Sequence, residues 1–322
     1  MGLCVLDCKS LPTPKQEQWR FTNLERALGE ALINELPQTP DQVSIYKSRG
    51  QISDKAEDIV WIGEDGAHHQ LRLKIVLEEG AQATVIERHS GEGVYWKNMG
   101  TEIVLGENSR LNHIRIQNDS IEAVHTDMVH ITMNCNSCLN SFSMNMGAKL
   151  SRHDVHTVIN GSGTECQLSG VNLLKGKQLG DSTILMEHIA PHSSSNQFYR
   201  SILGDQSHGV FQGKIHVHRE AQKTDGYQLA NTILLSQGSR MNTKPELEIY
   251  ADDVKCSHGT TTGQLEEEPM FYMRSRGLSE RQARMLLIQA FVDEAIDKIS
   301  YVATRNHIKE IAKQWLKAQL NI

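Results

Sequence analysis

The chain has 322 residues, of which 39% are hydrophobic and 22% are charged, and its formal net charge is −6 at pH 7. This balance is typical of a folded globular protein and excludes an intrinsically disordered one. It argues against nucleic acid as the main partner, because such binding normally needs a basic face. No segment approaches about 18 uninterrupted apolar residues, so no membrane-spanning helix is expected.

The start of the chain, MGLCVLDCKS, lacks the basic and long apolar stretches of a secretory signal. A cytoplasmic location is therefore expected. The cysteines are sparse and irregularly spaced, which favours reduced thiols over a disulfide framework. They are Cys4, Cys8, Cys135, Cys138, Cys166 and Cys256.

An N-terminal helical segment is predicted within residues 1–40. Its apolar residues recur at the spacing of a helix, so that one face is apolar. Pro37 and Pro40 follow this pattern and are expected to end the segment. The residues at helical spacing are Leu24, Ala27, Leu28, Ala31 and Leu32.

Residues 41–265 are predicted to form a β core, because short apolar runs alternate strictly with polar residues. In SFSMNM, for example, one strand face carries Phe142, Met144 and Met146. In KIHVHR, Ile215 and Val217 share a face.

Turn-like tetrapeptides recur in this core at intervals of roughly 26 to 28 residues. That period fits one coil of a β-solenoid in which two or three short strands complete a circuit. A large antiparallel β structure is the alternative. The tetrapeptides are EEGA (78–81), GENS (106–109), NCNS (134–137) and NGSG (160–163), with later ones at GDQS (204–207) and SQGS (236–239).

A C-terminal helical region is predicted over residues 266–322, where Ser279 and Gln282 fit a capping box. The region is expected to cover the open end of the β core, and its apolar stripe is also a candidate partner surface. The predicted stripe of the first helix is Ala283, Leu286, Leu287, Ala290, Phe291, Ile296 and Ile299, and a second helix, roughly 303 to 320, carries Ile308, Ile311, Trp315 and Leu316.

The stretch DDVKCSHGTTTGQ places Cys256 two residues before His258, so that both point to one face of an extended strand. Thiolate and imidazole are ligands for zinc, ferrous iron or an iron–sulfur cluster, but two ligands are too few to close a site. Val254 shares their face, which leaves a buried structural thiol as the alternative.

Other candidate ligands have less support. The sequence also has no Walker A, G-x-S-x-G or H-E-x-x-H motif, so it carries no recognisable nucleotide or hydrolase machinery. The weaker pairs are Cys135 with Cys138, which can chelate only in a turn, His216 with His218 on a face expected to be solvated, and His188 with His192 around Pro191 in a predicted turn.

The run from HIAPHSSSNQFYRS to LSERQARMLLIQAF closely resembles the shared core of the SufB/SufD family, which comprises scaffold components of the Suf iron–sulfur cluster assembly system. The resemblance is dense over roughly 150 to 295, and PKQEQWRFTNL is weakly similar to the family's N-terminal segment. PELEIYADDVKCSHG followed by FYMRSRGLSERQAR is most like the SufD branch.

This resemblance implies a mainly β fold, a right-handed parallel β-helix flanked by N-terminal and C-terminal α-helical regions. It implies a non-catalytic subunit that pairs with a SufB-like protein through the β-helices and holds a SufC-like ATPase with its C-terminal helices. Nucleotide would then bind to the partner and not to this chain. An isolated chain is expected to be able to form a homodimer.

Cys256, Ser257 and His258 match the family's Cys-Ser-His, whose histidine lies near a SufB cysteine proposed to ligate the nascent cluster. The resemblance implies a transient iron ion or iron–sulfur cluster shared with the partner, with His258 as the stronger ligand candidate. The alternative is a secreted-type β-helix enzyme acting on polysaccharide, which would need clustered carboxylates. The residues expected to contact the ATPase are Phe271, Tyr272, Arg274, Arg276, Leu286 and Phe291.

Overall fold

The computed structural model describes residue 6 and residues 10–34 and 41–320. Within these residues the chain forms sixteen β-strands, four α-helices and one short 3-10 helix. Successive strands alternate between two parallel sheets of eight strands each. The mainly β, parallel β-helix fold with helical ends is therefore confirmed. Cys4, Cys8, Pro37 and Pro40 lie outside the described residues.

The odd-numbered strands form sheet A and the even-numbered strands form sheet B. Sheet A consists of β1 (Asp41–Lys47), β3 (His68–Leu77), β5 (Trp96–Leu105), β7 (Val124–Met133), β9 (Leu150–Ile159), β11 (Leu179–His188), β13 (His208–Val217) and β15 (Arg240–Ile249). Sheet B consists of β2 (Glu57–Gly63), β4 (Gln82–Gly91), β6 (Arg110–Asn118), β8 (Cys138–Asn145), β10 (Glu165–Leu174), β12 (Ser194–Leu203), β14 (Asp225–Leu234) and β16 (Lys255–Gly263).

Each coil contributes one strand to each sheet, so the sequence period is the length of one coil. In sheet A, for example, His68, Trp96, Val124 and Leu150 are successive register partners. The first four turn tetrapeptides connect sheet A to sheet B, whereas GDQS and SQGS connect sheet B to sheet A. The two groups of turns therefore lie at opposite corners of the coil.

The interior of the β-helix is lined by both sheets. Ile215 and Val217 are fully buried there, as the alternation in KIHVHR predicts. In SFSMNM, Phe142 and Met144 do share a face, but it is the outer face of sheet B. Their polar neighbours share the face of Leu139, which packs in the interior core.

The outer face of sheet B is apolar because two helices cover it. These are α3 (Glu280–Ile296) and α4 (Val302–Leu320), which form one buried cluster with outward residues of β4 to β14. The expectation that the C-terminal helices cover the open end of the β core is therefore wrong. An apolar outer strand face competes for the same helix stripes, and it offers a longer surface to bury.

The capping box at the start of α3 is confirmed, since the Ser279 hydroxyl accepts a hydrogen bond from the Gln282 backbone and the Gln282 side chain accepts one in return. The predicted stripe of α3 is confirmed in part: Ala283, Ile296 and Ile299 are buried, whereas Leu286 and Ala290 are exposed. The buried face of α3 is rotated by about one residue position from the predicted stripe. It consists of Ala283, Met285, Ile288, Val292, Ala295 and Ile296.

The N-terminal region packs on the outer face of sheet A. It contains a 3-10 helix (Glu17–Trp19) and α1 (Leu24–Asn34), which Gly29 interrupts with a positive φ of 70°. The cluster formed there consists of Trp19, Leu24, Leu28 and Leu32 against Trp96, Val124 and Leu150. The remaining helix, α2 (Glu267–Ser275), has no buried residue.

Candidate functional site

The β-helix ends at β15 and β16, and no strand among residues 41–320 pairs with their outer edges. Such edges present unpaired backbone N–H and C=O groups that can receive another strand. The side chains here are only partly covered. Met241 and Leu247 pack against the interior core from β15, and Tyr250 just beyond this strand is 57% exposed.

Cys256 and His258 lie two residues apart on β16, on the strand face that continues the interior face of sheet B. Cys256 is half-buried against the interior core beside Val254, whereas His258 is exposed. Burial raises the pKa of the Cys256 thiol, which favours the protonated form over the thiolate that binds metal. Of the two side chains, His258 is therefore the more accessible.

The part of the chain that the structure describes brings no further ligand to this pair. Among the described residues, no third histidine, cysteine or carboxylate joins Cys256 and His258 within the spacing needed to hold a metal ion. No side-chain hydrogen bond or ion pair links the His258 imidazole to the rest of the described chain. Within the described residues, the ligand set at β16 is therefore incomplete.

A row of polar side chains leads from the interior to His258. Gln197, Gln228 and His258 are successive register partners on β12, β14 and β16. Both glutamines are fully buried, and their amide groups have no hydrogen-bond partner among the described residues. His258 thus caps a buried polar row at the point where the β-helix opens to solvent.

The structure also contains a buried ionic cluster, inside the coils nearer the N terminus, that the sequence patterns did not predict. Asp119 accepts hydrogen bonds from Lys97 at 2.6 Å and His125 at 2.8 Å, and all three are buried. Arg115 pairs with Asp127 at 2.8 Å. The members come from three strands and a connecting turn, and the stacking of the coils brings them together.

Neighbouring cations and hydrogen bonds keep the carboxylates of the ionic cluster charged. Burial raises the pKa of Asp127, but the Arg115 charge and the His153 hydrogen bond outweigh it and lower the pKa to about 2. Similarly, hydrogen bonding from His125 and the Lys97 charge overcome the effect of burial on Asp119 and hold its pKa well below the usual value. Each carboxylate thus has a buried cationic partner within the chain, and removing either partner would leave an uncompensated charge.

The six residues expected to contact an ATPase lie in two settings. Phe271 is 75% exposed and Tyr272 is 60% exposed on α2, and Leu286 is 44% exposed on α3. The Arg276 guanidinium lies over the Tyr272 ring, 5.3 Å from its centroid, and Arg274 lines an adjacent groove.

Phe291, by contrast, is half-buried against sheet B. The Arg200 guanidinium lies 4.9 Å from the centroid of its ring. Arg200 also pairs with Glu294 at 2.5 Å, which fixes α3 on β12. Phe291 can therefore offer only part of its ring to a partner.

The weaker ligand pairs have different surroundings. Cys135 lies in the turn before β8, and Cys138 is the first residue of that strand, where burial raises the pKa of its thiol. His188 is buried at the end of β11, with Nε2 2.8 Å from the Ser195 hydroxyl. His192 has a positive φ of 58°, in agreement with the predicted turn.

None of the described helices has the length and apolar composition that a membrane crossing by a helix requires.

Comparisons with known proteins agree with the geometry. Residues 60–291 match the family model described as SUF system FeS cluster assembly, SufBD core domain. A SufBD family protein of Synechocystis is 34% identical over 320 residues, which cover 90% of this chain and 70% of the relative. The chloroplastic protein ABCI7 of Arabidopsis thaliana is 33% identical, with 84% and 60% covered, and SufD of Escherichia coli K12 is 31% identical, with 74% and 56% covered. The chain thus spans less than two thirds of the latter two relatives.

Proposed function

Because this chain belongs to the SufBD core family of the SUF iron–sulfur cluster assembly system, and is SufD-like, we propose that it is a non-catalytic scaffold subunit of that system. In this proposal it supports iron delivery and cluster assembly at an interface with a SufB-like subunit. A cytoplasmic location, where thiols stay reduced, suits this chemistry. The observation that carries the proposal is the exposed His258 on a free edge strand.

The edge formed by β15 and β16 supports a partner that continues the β-helix. Two unpaired strand edges lie side by side there, with partly covered apolar side chains such as Met241 and Leu247. A SufB-like chain with a similar end would satisfy the backbone groups and bury these residues in one step. A second copy of this chain could dock in the same way, which would make the homodimer an alternative state of the same surface.

His258 is proposed to supply one ligand to an iron ion or nascent cluster whose other ligands belong to the partner. Imidazole binds iron in the neutral form and needs no thiolate. Cys256 is assigned a supporting role, because its raised pKa and its contact with the core disfavour the thiolate. The site would then form only in the complex.

The exposed face of residues 266–322 is proposed to hold the ATPase. Three large apolar side chains are exposed there, Phe271 and Tyr272 on α2 and Leu286 on α3. Arg274 and Arg276 lie close to the two aromatic residues in sequence. Aromatic residues and arginine are enriched where binding energy concentrates in interfaces. Nucleotide hydrolysis would then be carried out by that partner.

The direct test is co-expression of this chain with SufB-like and SufC-like proteins from the same organism. A stable complex that retains the ATPase in moderate salt is expected. If the ATPase and the SufB-like protein both elute separately from this chain, the proposed scaffold role is wrong.

The site assignment has its own test, the cluster content of the complex with His258→Ala. We expect at least a several-fold loss of cluster absorbance and bound iron, with an unchanged complex and an unfolding free energy within about 0.5 kcal/mol of wild type, since His258 is exposed. His307→Ala, at an exposed histidine on α4, is the matched control. Wild-type cluster content in His258→Ala would overturn the assignment but leave the scaffold proposal standing.

A further inference from the structure

The outer face of sheet A brings together three metal-ligating side chains from two neighbouring strands. Glu187 on β11 and His216 on β13 are direct register partners. His218 follows β13, and its backbone N–H donates to the His188 carbonyl at 2.9 Å, so the ladder continues past the end of the strand. His216 and His218 therefore share the outer face, while Val217 between them is buried inside.

The ligand atoms of these three residues are close enough to converge on one ion. One oxygen of Glu187 and one ring nitrogen of each histidine all lie within 4.8 Å of one another. His216 Nδ1 is 3.8 Å from Glu187 Oε1, and the two imidazole centroids are 4.3 Å apart. Ligands bound at about 2.1 Å to a tetrahedral ion lie about 3.4 Å apart, so small side-chain rotations suffice.

Hydrogen bonds within the described chain do not account for this cluster. His218 Nε2 is buried and has no hydrogen-bond partner among the described residues. The distance between His216 and Glu187 also exceeds that of a hydrogen bond. Glu248, the register partner of His216 on the other side, is already engaged by Lys214 and by the Tyr250 hydroxyl. A buried ring nitrogen without a partner is costly, and a metal ion would satisfy it.

We propose that Glu187, His216 and His218 form a binding site for a divalent first-row transition metal ion. Two imidazoles and one carboxylate form the ligand set typical of zinc and of non-haem ferrous iron, and they disfavour Mg²⁺ and Ca²⁺, which prefer oxygen ligands. His156 on β9 lies 3.5 Å from the other oxygen of Glu187 and can orient that carboxylate.

The site is open, which points to exchangeable binding. All three ligand residues are partly exposed, so solvent reaches the edge of the cluster. It is also distinct from His258, because Glu187 and His216 lie on strands of sheet A, whereas His258 lies on β16 of sheet B. The proposal does not depend on the scaffold function.

The test uses the purified full chain, freed of metal and titrated anaerobically with Co²⁺ as a spectroscopic probe and with Zn²⁺ by calorimetry. One equivalent of each ion is expected to bind to wild type. Glu187→Gln and the double variant His216→Ala/His218→Ala should weaken binding at least tenfold. Mg²⁺ at the same concentrations should give no signal.

Two variants act as controls, His258→Ala at the free edge and His307→Ala on α4, and both should bind Co²⁺ like wild type. Unfolding by urea without metal shows whether each variant is folded, and Glu187→Gln keeps the test valid if the double variant is not. Wild-type affinity in Glu187→Gln and in the double variant, or no binding of Co²⁺ or Zn²⁺ by wild type, would overturn the proposal. A loss of Co²⁺ binding in His258→Ala would instead locate the ion at the free edge.

Discussion

The amide of Gln228 lies directly against the backbone of Gly213, so that a Cβ at position 213 would come within 2.6 Å of the amide atoms. Both residues face the interior, Gly213 from sheet A and Gln228 from sheet B. A Cβ at position 213 would therefore displace the end of the Gln228 side chain, which approaches from the opposite sheet. The same glutamine is the register partner of His258.

Gly213→Ala is accordingly expected to destabilise the protein by about 1–3 kcal/mol, because overpacking a filled interior forces side chains off their preferred rotamers. Urea unfolding followed by circular dichroism measures the change. The double variant Gly213→Ala/Gln228→Ala should recover most of the loss, because the shorter side chain removes the clash. Gln228→Ala alone completes the cycle, and a double-variant loss equal to the sum of the two single losses would show that the two residues do not interact.

Much of the fold is predictable from local pattern. The period of the turns equals the length of a coil, since residues such as Trp96 and Val124 are register partners in sheet A. The alternation in SFSMNM predicts a strand, but it cannot tell which face is inside. Helices cover the outer face of sheet B, so both faces of the strand are buried and Phe142 and Met144 lie outside the β-helix. The position of α3 and α4 is a tertiary property that the strand sequence does not contain.

The candidate sites are less predictable, for a related reason. Cys256 and His258 are two residues apart, and local sequence is enough to place them on one strand face. Glu187 and His216, by contrast, meet only through the register of β11 and β13, and Lys97 and Asp119 through the stacking of successive coils. Without that register, His216 and His218 are no more than two histidines on a strand face expected to be solvated.

Burial of His188 predicts a dependence of stability on pH. Burial lowers the pKa of His188 to about 4, whereas the pKa of the same side chain in the unfolded protein is about 6.5. Between these values the unfolded chain binds a proton that the folded chain does not, so the free energy of unfolding falls as the pH decreases from about 6.5 to about 4. The full effect of this residue is about 3 kcal/mol.

His188→Gln should therefore show a flatter profile of unfolding free energy against pH in this window. Glutamine keeps a group that can bond the Ser195 hydroxyl, which limits the loss of packing. His307→Gln, at an exposed position, should leave the slope unchanged. Parallel profiles of wild type and His188→Gln would contradict a neutral buried His188.

Substitutions on the exposed face of α2 are expected to weaken ATPase binding without changing the free energy of unfolding. Replacing Phe271 and Tyr272 together by alanine should weaken binding of the SufC-like ATPase at least tenfold, because large exposed aromatic side chains dominate interfaces. The unfolding free energy should stay within about 0.5 kcal/mol of wild type. Val302→Ala, which is 53% exposed on α4, is the control. Unchanged ATPase affinity in the double variant would place the docking surface elsewhere.

The ionic cluster around Asp119 predicts a large effect on stability without a direct effect on cluster assembly. In the wild-type chain the Lys97 ammonium lies 2.6 Å from an Asp119 carboxylate oxygen. Asp119→Ala would leave this buried ammonium without its counter-charge, and it would also remove the hydrogen-bond acceptor of His125. Breaking a buried pair in this way typically costs about 3–5 kcal/mol.

A double-mutant cycle with Lys97→Met and Asp119→Leu separates the pair from its surroundings. The two substitutions together should cost less than the sum of the single variants by more than about 1 kcal/mol, because neither charge then remains alone. Folded complexes that carry the double variant should still assemble clusters at the wild-type level, since β5 and β6 lie several coils from the free edge of β16. Additive losses would mean that Lys97 and Asp119 act independently, and a loss of cluster content in a stably folded variant would assign the interior cluster a role in assembly itself.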